Sequence, residues 1–146
     1  MSKKLSIFAW MIFVSLFAAS CTGAQTTKTG DAAKIYGDWT GESICADKQK
    51  FPDCKDEKVV YHFSKSKENA SKVHLVADKI VNGANEYMGE FDFTFNSAKN
   101  TISSEFTING NHGIWEFKID GDAMEGTLKM FPEKTLVRQV KVKKAT

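Results

Sequence analysis

Few residues in this chain have the type and spacing for chemistry, and they are scattered. His62, His74 and His112 lie in three separate segments. By alternation the first two point outward and the third sits in a turn, so no pair shares a face at metal-ligand spacing. Asp120-Gly121-Asp122 lacks the further oxygen ligands of a calcium loop and reads as a tight turn. Ser43 and Ser104 face inward with no base beside them, and no nucleophile elbow, zinc-helix motif or phosphate-cradling loop occurs. The expectation is a non-enzymatic protein with no catalytic residue, no metal and no cofactor. What remains is a dense aromatic set: Tyr61, Phe63, Tyr87, Phe91, Phe93, Phe106, Trp115 and Phe117. Gathered on one surface, these rings would either fill a core or hold a small apolar ligand.

The elements that must gather them show period-two alternation. Residues 86–96, EYMGEFDFTFN, put Tyr87, Gly89, Phe91, Phe93 and Phe95 on one face and Met88, Glu90, Asp92 and Thr94 on the other. The same pattern recurs at 58–64, 72–81, 101–108, 114–120, 124–130 and 135–143, with Lys79 an anomaly at the end of its run. With Tyr36–Cys45 first, the count is eight strands. The connectors are turn chemistry: NGAN at 82–85, NSAKN at 96–100, NGNH at 109–112, DGD at 120–122 and FPEK at 131–134. Asn-Gly and Asp-Gly supply the positive backbone angles of tight hairpins, and loops this short join antiparallel neighbours. No segment carries a strong helical stripe. The predicted fold is all-β: an eight-stranded antiparallel up-and-down barrel, with a two-sheet sandwich as the alternative.

The chain divides before it folds. Met1–Lys4 is basic, Leu5–Ala19 is apolar but for two serines, and Ser20-Cys21 follows. That is the layout of a secretory signal peptide over residues 1–20. As a helix the apolar run would be ~22 Å long, short of the ~30 Å hydrocarbon core. Residues 21–34, small and polar, read as a flexible tether, and 35–146 as the barrel domain. The full chain carries 20 Lys+Arg and 18 Asp+Glu; Lys3 and Lys4 leave with the signal, so both totals become 18. A net-neutral domain has no electrostatic footprint for nucleic acid. Export also decides the cysteines. Cys21 lies at the cleavage region, which leaves Cys45 and Cys54 to form one disulfide. Closing that short loop is worth about 2.7 kcal/mol in the chain-entropy model.

Two resemblances extend this reading. Ala19-Ser20-Cys21 resembles the end of the bacterial lipoprotein signal, with Ala18 standing where that pattern has Leu. It implies cleavage before Cys21 and a lipid anchor on its thiol, hence an exported protein held at the bacterial cell envelope. The alternative is ordinary cleavage, for example after Ala24, and a secreted or periplasmic soluble protein. Gly37-Asp38-Trp39 on the first strand, with Arg138 on the last, is similar to the calycin signature of lipocalins, fatty-acid-binding proteins and avidins. In those barrels the tryptophan closes one end and a C-terminal Arg or Lys packs across it. The resemblance implies that Trp39 and Arg138 are structural, joined by a cation–π contact, and that the lumen holds a small apolar ligand. A second function class stays open: a protein-binding, inhibitor or structural envelope module. It would use the stapled loop 45–54, with charged residues and an exposed Phe51, while the lumen is filled.

Overall fold

The computed structural model describes residues 31–146; the expected signal peptide, Cys21 and most of the tether lie outside the described residues. The tether's last residues are folded. Asp31 caps a short 3-10 helix, Ala32–Ile35, by accepting a hydrogen bond from the Ala33 N–H at 2.9 Å. Eight strands follow: β1 (Gly37–Cys45), β2 (Glu57–Lys65), β3 (Lys72–Val81), β4 (Ala84–Asn96), β5 (Thr101–Ile108), β6 (Asn111–Asp120), β7 (Ala123–Met130) and β8 (Thr135–Lys144). Each pairs antiparallel with its sequence neighbour, and β8 pairs with β1 to close the barrel. Two-residue hairpins form at both Asn-Gly sites and at Gly121-Asp122. Asn82 and Gly83 have φ of 52° and 81°, and Asn109 and Gly110 have 50° and 78°. His112, expected in a turn, belongs to β6 and pairs with Thr107.

Closure brings two backbones close at one point. A Cβ on Gly41 would meet the Lys141 carbonyl oxygen and lie 2.8 Å from the Val142 Cα. Gly41 is therefore glycine because β8 lies against it, not because it yields space to interior aromatics. Gly126 does the latter: a Cβ there would run into the ring of Phe117, its cross-strand partner.

Two bulges interrupt the alternation. Between β3 and β4 the register steps from Ala77↔Gly89 to Asp78↔Tyr87, so Met88 is the extra residue. An inserted residue reverses the faces beyond it. Tyr87, predicted inward, is 64% exposed as a result. The second bulge steps from Leu128↔Arg138 to Lys129↔Leu136, which sets Leu136 opposite an outward lysine.

One end of the barrel is filled. Trp39 is fully buried, and its indole N–H donates to the Ile35 carbonyl at 2.8 Å, so the short helix forms a plug. Phe63, Phe93, Ile102, Ile119, Met124 and Val142 complete this core. The rings meet edge to face: Phe63–Phe93 centroids are 6.3 Å apart and Phe93–Phe117 5.7 Å. The cation over Trp39 is Lys144, with Nζ 5.7 Å from the ring and 2.7 Å from the Lys34 carbonyl. The expected Trp39–Arg138 contact is not made. In an antiparallel pair the start of β1 lies beside the end of β8, so Trp39 faces Lys144 while Arg138 faces Cys45, at the other end.

Candidate functional site

The other end holds a cavity of about 290 Å³ to which every strand contributes. That is at the small end of the about 300–1,000 Å³ usual for ligand pockets. Aromatic walls come from Tyr61, Phe91, Phe106, Trp115 and Phe117, with Leu75, Ala77, Met88 and Leu128 between them. Trp115 and Phe117 stack with centroids 5.8 Å apart, and Phe91 and Phe106 meet at 5.4 Å. Wider grooves of about 670 and 630 Å³ run over the outer, charged face of the sheet. Their linings are mostly charged or polar, so the apolar internal cavity is the candidate site.

Polar groups enter this cavity at one place. The Arg138 Nη1 lies 3.0 Å from the Glu57 carboxylate and donates to the Ser43 hydroxyl at 3.0 Å. Both charged side chains are largely covered, at 17% and 22% exposure. A charge this covered needs a partner, and Glu57 with Ser43 supplies it. Burial pushes the Tyr61 hydroxyl up to about 12, against the hydrogen bond with Ser43 and the positive charge of Arg138. Tyr61 is thus a neutral hydroxyl at physiological pH. The lining can offer one neutral, hydrogen-bonding corner, balanced in charge, within an otherwise apolar wall.

Of the residues expected to bind ligand, Tyr61, Phe91, Phe106, Trp115 and Phe117 line the cavity. Phe63 and Phe93 point inward as predicted but lie deeper, in the filled core. Tyr87 points away, displaced by the bulge. Sequence reasoning missed Glu57 and Met88 and placed Arg138 at the wrong end. Counting pairs back along an antiparallel β8 would have located Arg138; no local signal marks the bulge at Met88.

The disulfide Cys45–Cys54 forms and ties the β1–β2 loop at the mouth of the barrel. The loop is ordered from within. Asp47 accepts hydrogen bonds from the N–H groups of Gln49 and Lys50, and Asp56 accepts from Lys48 at 2.7 Å and from the Cys45 N–H at 2.9 Å. The Lys48 and Cys45 bonds hold the Asp56 carboxyl below its ordinary value. Phe51, expected to be exposed, is half-buried: it turns toward Val137 and Arg138 along a groove beside β8.

The histidines stand on the outer surface, each beside a carboxylate. His62 bridges Asp38 on β1 at 2.7 Å and Asp78 on β3 at 3.3 Å. Asp38, its closer partner, raises the His62 pKa most, with burial opposing and Asp78 adding. His74 meets Asp92 at 2.8 Å. Burial pushes the Asp92 carboxyl up, but hydrogen bonds from His74 and Ser66 outweigh it and hold it below the ordinary range. His112 meets Glu105 at 2.6 Å and stacks on Phe131. These pairs cross strands and pin the sheet from outside. Among the described residues no group of three or more His, Cys, Asp or Glu is arranged to hold a metal ion. No family model matches the chain, and no curated protein matches it.

Proposed function

We propose that this protein is a non-enzymatic, exported, lipocalin-like barrel that binds a small apolar ligand in the cavity at its open end. The observation that carries this reading is the cavity itself, walled by aromatics and provided with one hydrogen-bonding corner at Arg138, Glu57, Ser43 and Tyr61. Its size favours a compact ligand of one or two rings or a short chain. The Trp39–Lys144 contact supports kinship with calycins, whose closing tryptophan lies beneath a C-terminal Arg or Lys. Placement at the bacterial envelope through a lipid on Cys21 follows from the N-terminal sequence.

The test is native mass spectrometry of the purified protein, followed by titration with an apolar fluorescent dye. A co-purifying small molecule, or dye binding that Ala77→Leu weakens about tenfold by filling the cavity, supports the carrier. Dye binding unaffected by Ala77→Leu, with no co-purifying molecule, overturns it. Radioactive palmitate should label the wild type and not Cys21→Ser.

One observation favours a second reading, a protein-binding module working through the 45–54 loop. That loop is held by a disulfide, by Asp47 within it and by Asp56 just beyond it, so little order remains to be imposed on binding. Lys48→Glu with Lys50→Glu should abolish capture of such a partner and leave dye binding unchanged.

A further inference from the structure

We propose that the gap between β4 and β5 is a docking site for an extended peptide segment in which apolar and basic residues alternate. The proposal goes beyond the lumen reading, since a backbone edge carries it. β4 and β5 are matched at only three positions, Thr94↔Ser103, Phe95↔Ile102 and Asn96↔Thr101. Every other neighbouring pair is matched over seven positions or more. Among the described residues, no register pair joins Ala84–Phe93 to Ser104–Ile108. The barrel is thus closed at its filled end and parted along one seam toward its mouth. The bulge at Met88 accounts for the parting, because a bulged strand bends and turns more sharply.

Two facing edges with free N–H and C=O groups are the template for strand addition. Their side chains specify the occupant. Extending the register, Phe91 would stand opposite Phe106, and their rings do meet at 5.4 Å although their backbones are unpaired. The inner face of the seam is therefore apolar, with Met88 on one edge and Ile108, 51% exposed, on the other. The outer face is acidic: β4 carries Glu90 and Asp92, β5 carries Glu105, and neither strand has a Lys or Arg. Glu90 and Glu105 keep more than half of their side-chain surface in water beside their histidines. An inserted strand with apolar residues inward and Lys or Arg outward satisfies both faces. A second copy of β4 does not, because it sets carboxylate against carboxylate.

The experiment is amide hydrogen exchange by NMR on the full folded domain, alone and with three synthetic peptides: alternating Val-Lys, alternating Val-Glu, and Val and Lys in separate blocks. Seam-facing amides of Ala84–Phe93 and Ser104–Ile108 should exchange fast in the free protein. They should gain about tenfold or more protection with alternating Val-Lys and none with the other two. Glu90→Lys with Glu105→Lys, both at exposed positions, should weaken Val-Lys binding about tenfold and admit Val-Glu. The proposal is overturned if the seam amides are as protected as those of β6 in the free protein, or if Val-Glu protects them equally. Concentration-dependent dimerisation that protects them without peptide would assign the seam to a second copy and overturn it as well.

Discussion

The two ends of this barrel are built from the same eight strands and differ in what fills them. At one end Trp39, Phe63, Phe93 and Met124 pack without space, under a helical plug and Lys144. At the other, bulkier and smaller side chains surround a cavity, and an ion pair that lines it, Arg138–Glu57, faces inward. The filled end matches its cross-strand partners in full; the open end has two bulges and a parted seam. Packing defects, a covered charge pair and incomplete pairing all cost stability, and all gather where a ligand or partner would enter. The difference teaches that packing is concentrated at one end and left incomplete at the other.

The largest test of that division is Trp39→Ala. It removes a fully buried side chain and its bond to Ile35, and should cost about 3–5 kcal/mol by urea unfolding. Phe106→Ala, a partly buried ring at the mouth, should cost only about 1 kcal/mol. A reversed order would dissolve the contrast between the ends. Cys45→Ser with Cys54→Ser should cost about 2–3 kcal/mol, the entropy of freeing the loop in the unfolded chain.

The charge pair sharpens the comparison further. Arg138→Leu alone strands Glu57 and should cost about 1–3 kcal/mol. Arg138→Leu with Glu57→Leu should recover most of that loss, because neither charge is then unpaired. The double-mutant cycle by denaturant titration reads the coupling, and a simple sum of the two single losses would show that the pair does not act as a unit.

The smallest effect concerns pH. Asp38 raises the His62 pKa in the folded state, so the protonated form favours folding. Its contribution is full below the unfolded value of about 6.5 and is lost as pH rises through the raised folded value. His62→Gln should therefore lower Tm more at about pH 5.5 than at about pH 8.5. Equal losses at both would show that the bridge from β1 to β3 holds through shape rather than charge.

Much of this was legible from residues alone, for identifiable reasons. Alternation in EYMGEFDFTFN set the inward face of β4 from Gly89 onward, and Asn82-Gly83 and Asn109-Gly110 set the hairpins. The expectation of export, with Cys21 set apart at the cleavage region, pointed to one disulfide, Cys45–Cys54, and it forms. Alternation says which face a side chain takes but not how deep it lies. Phe63 and Phe91 share the inward face, yet only Phe91 reaches the cavity. Alternation also fails wherever a residue is inserted, as at Met88, which turned Tyr87 out to solvent.

By itself, then, the sequence determined the strand count, the order of neighbours, the turns and the staple, because each depends on side-chain period or on local backbone chemistry. Only the tertiary structure decided which end is closed, that Lys144 rather than Arg138 covers Trp39, and where the seam opens. Those features depend on register and on bulges, which are set by contacts between strands far apart in the chain.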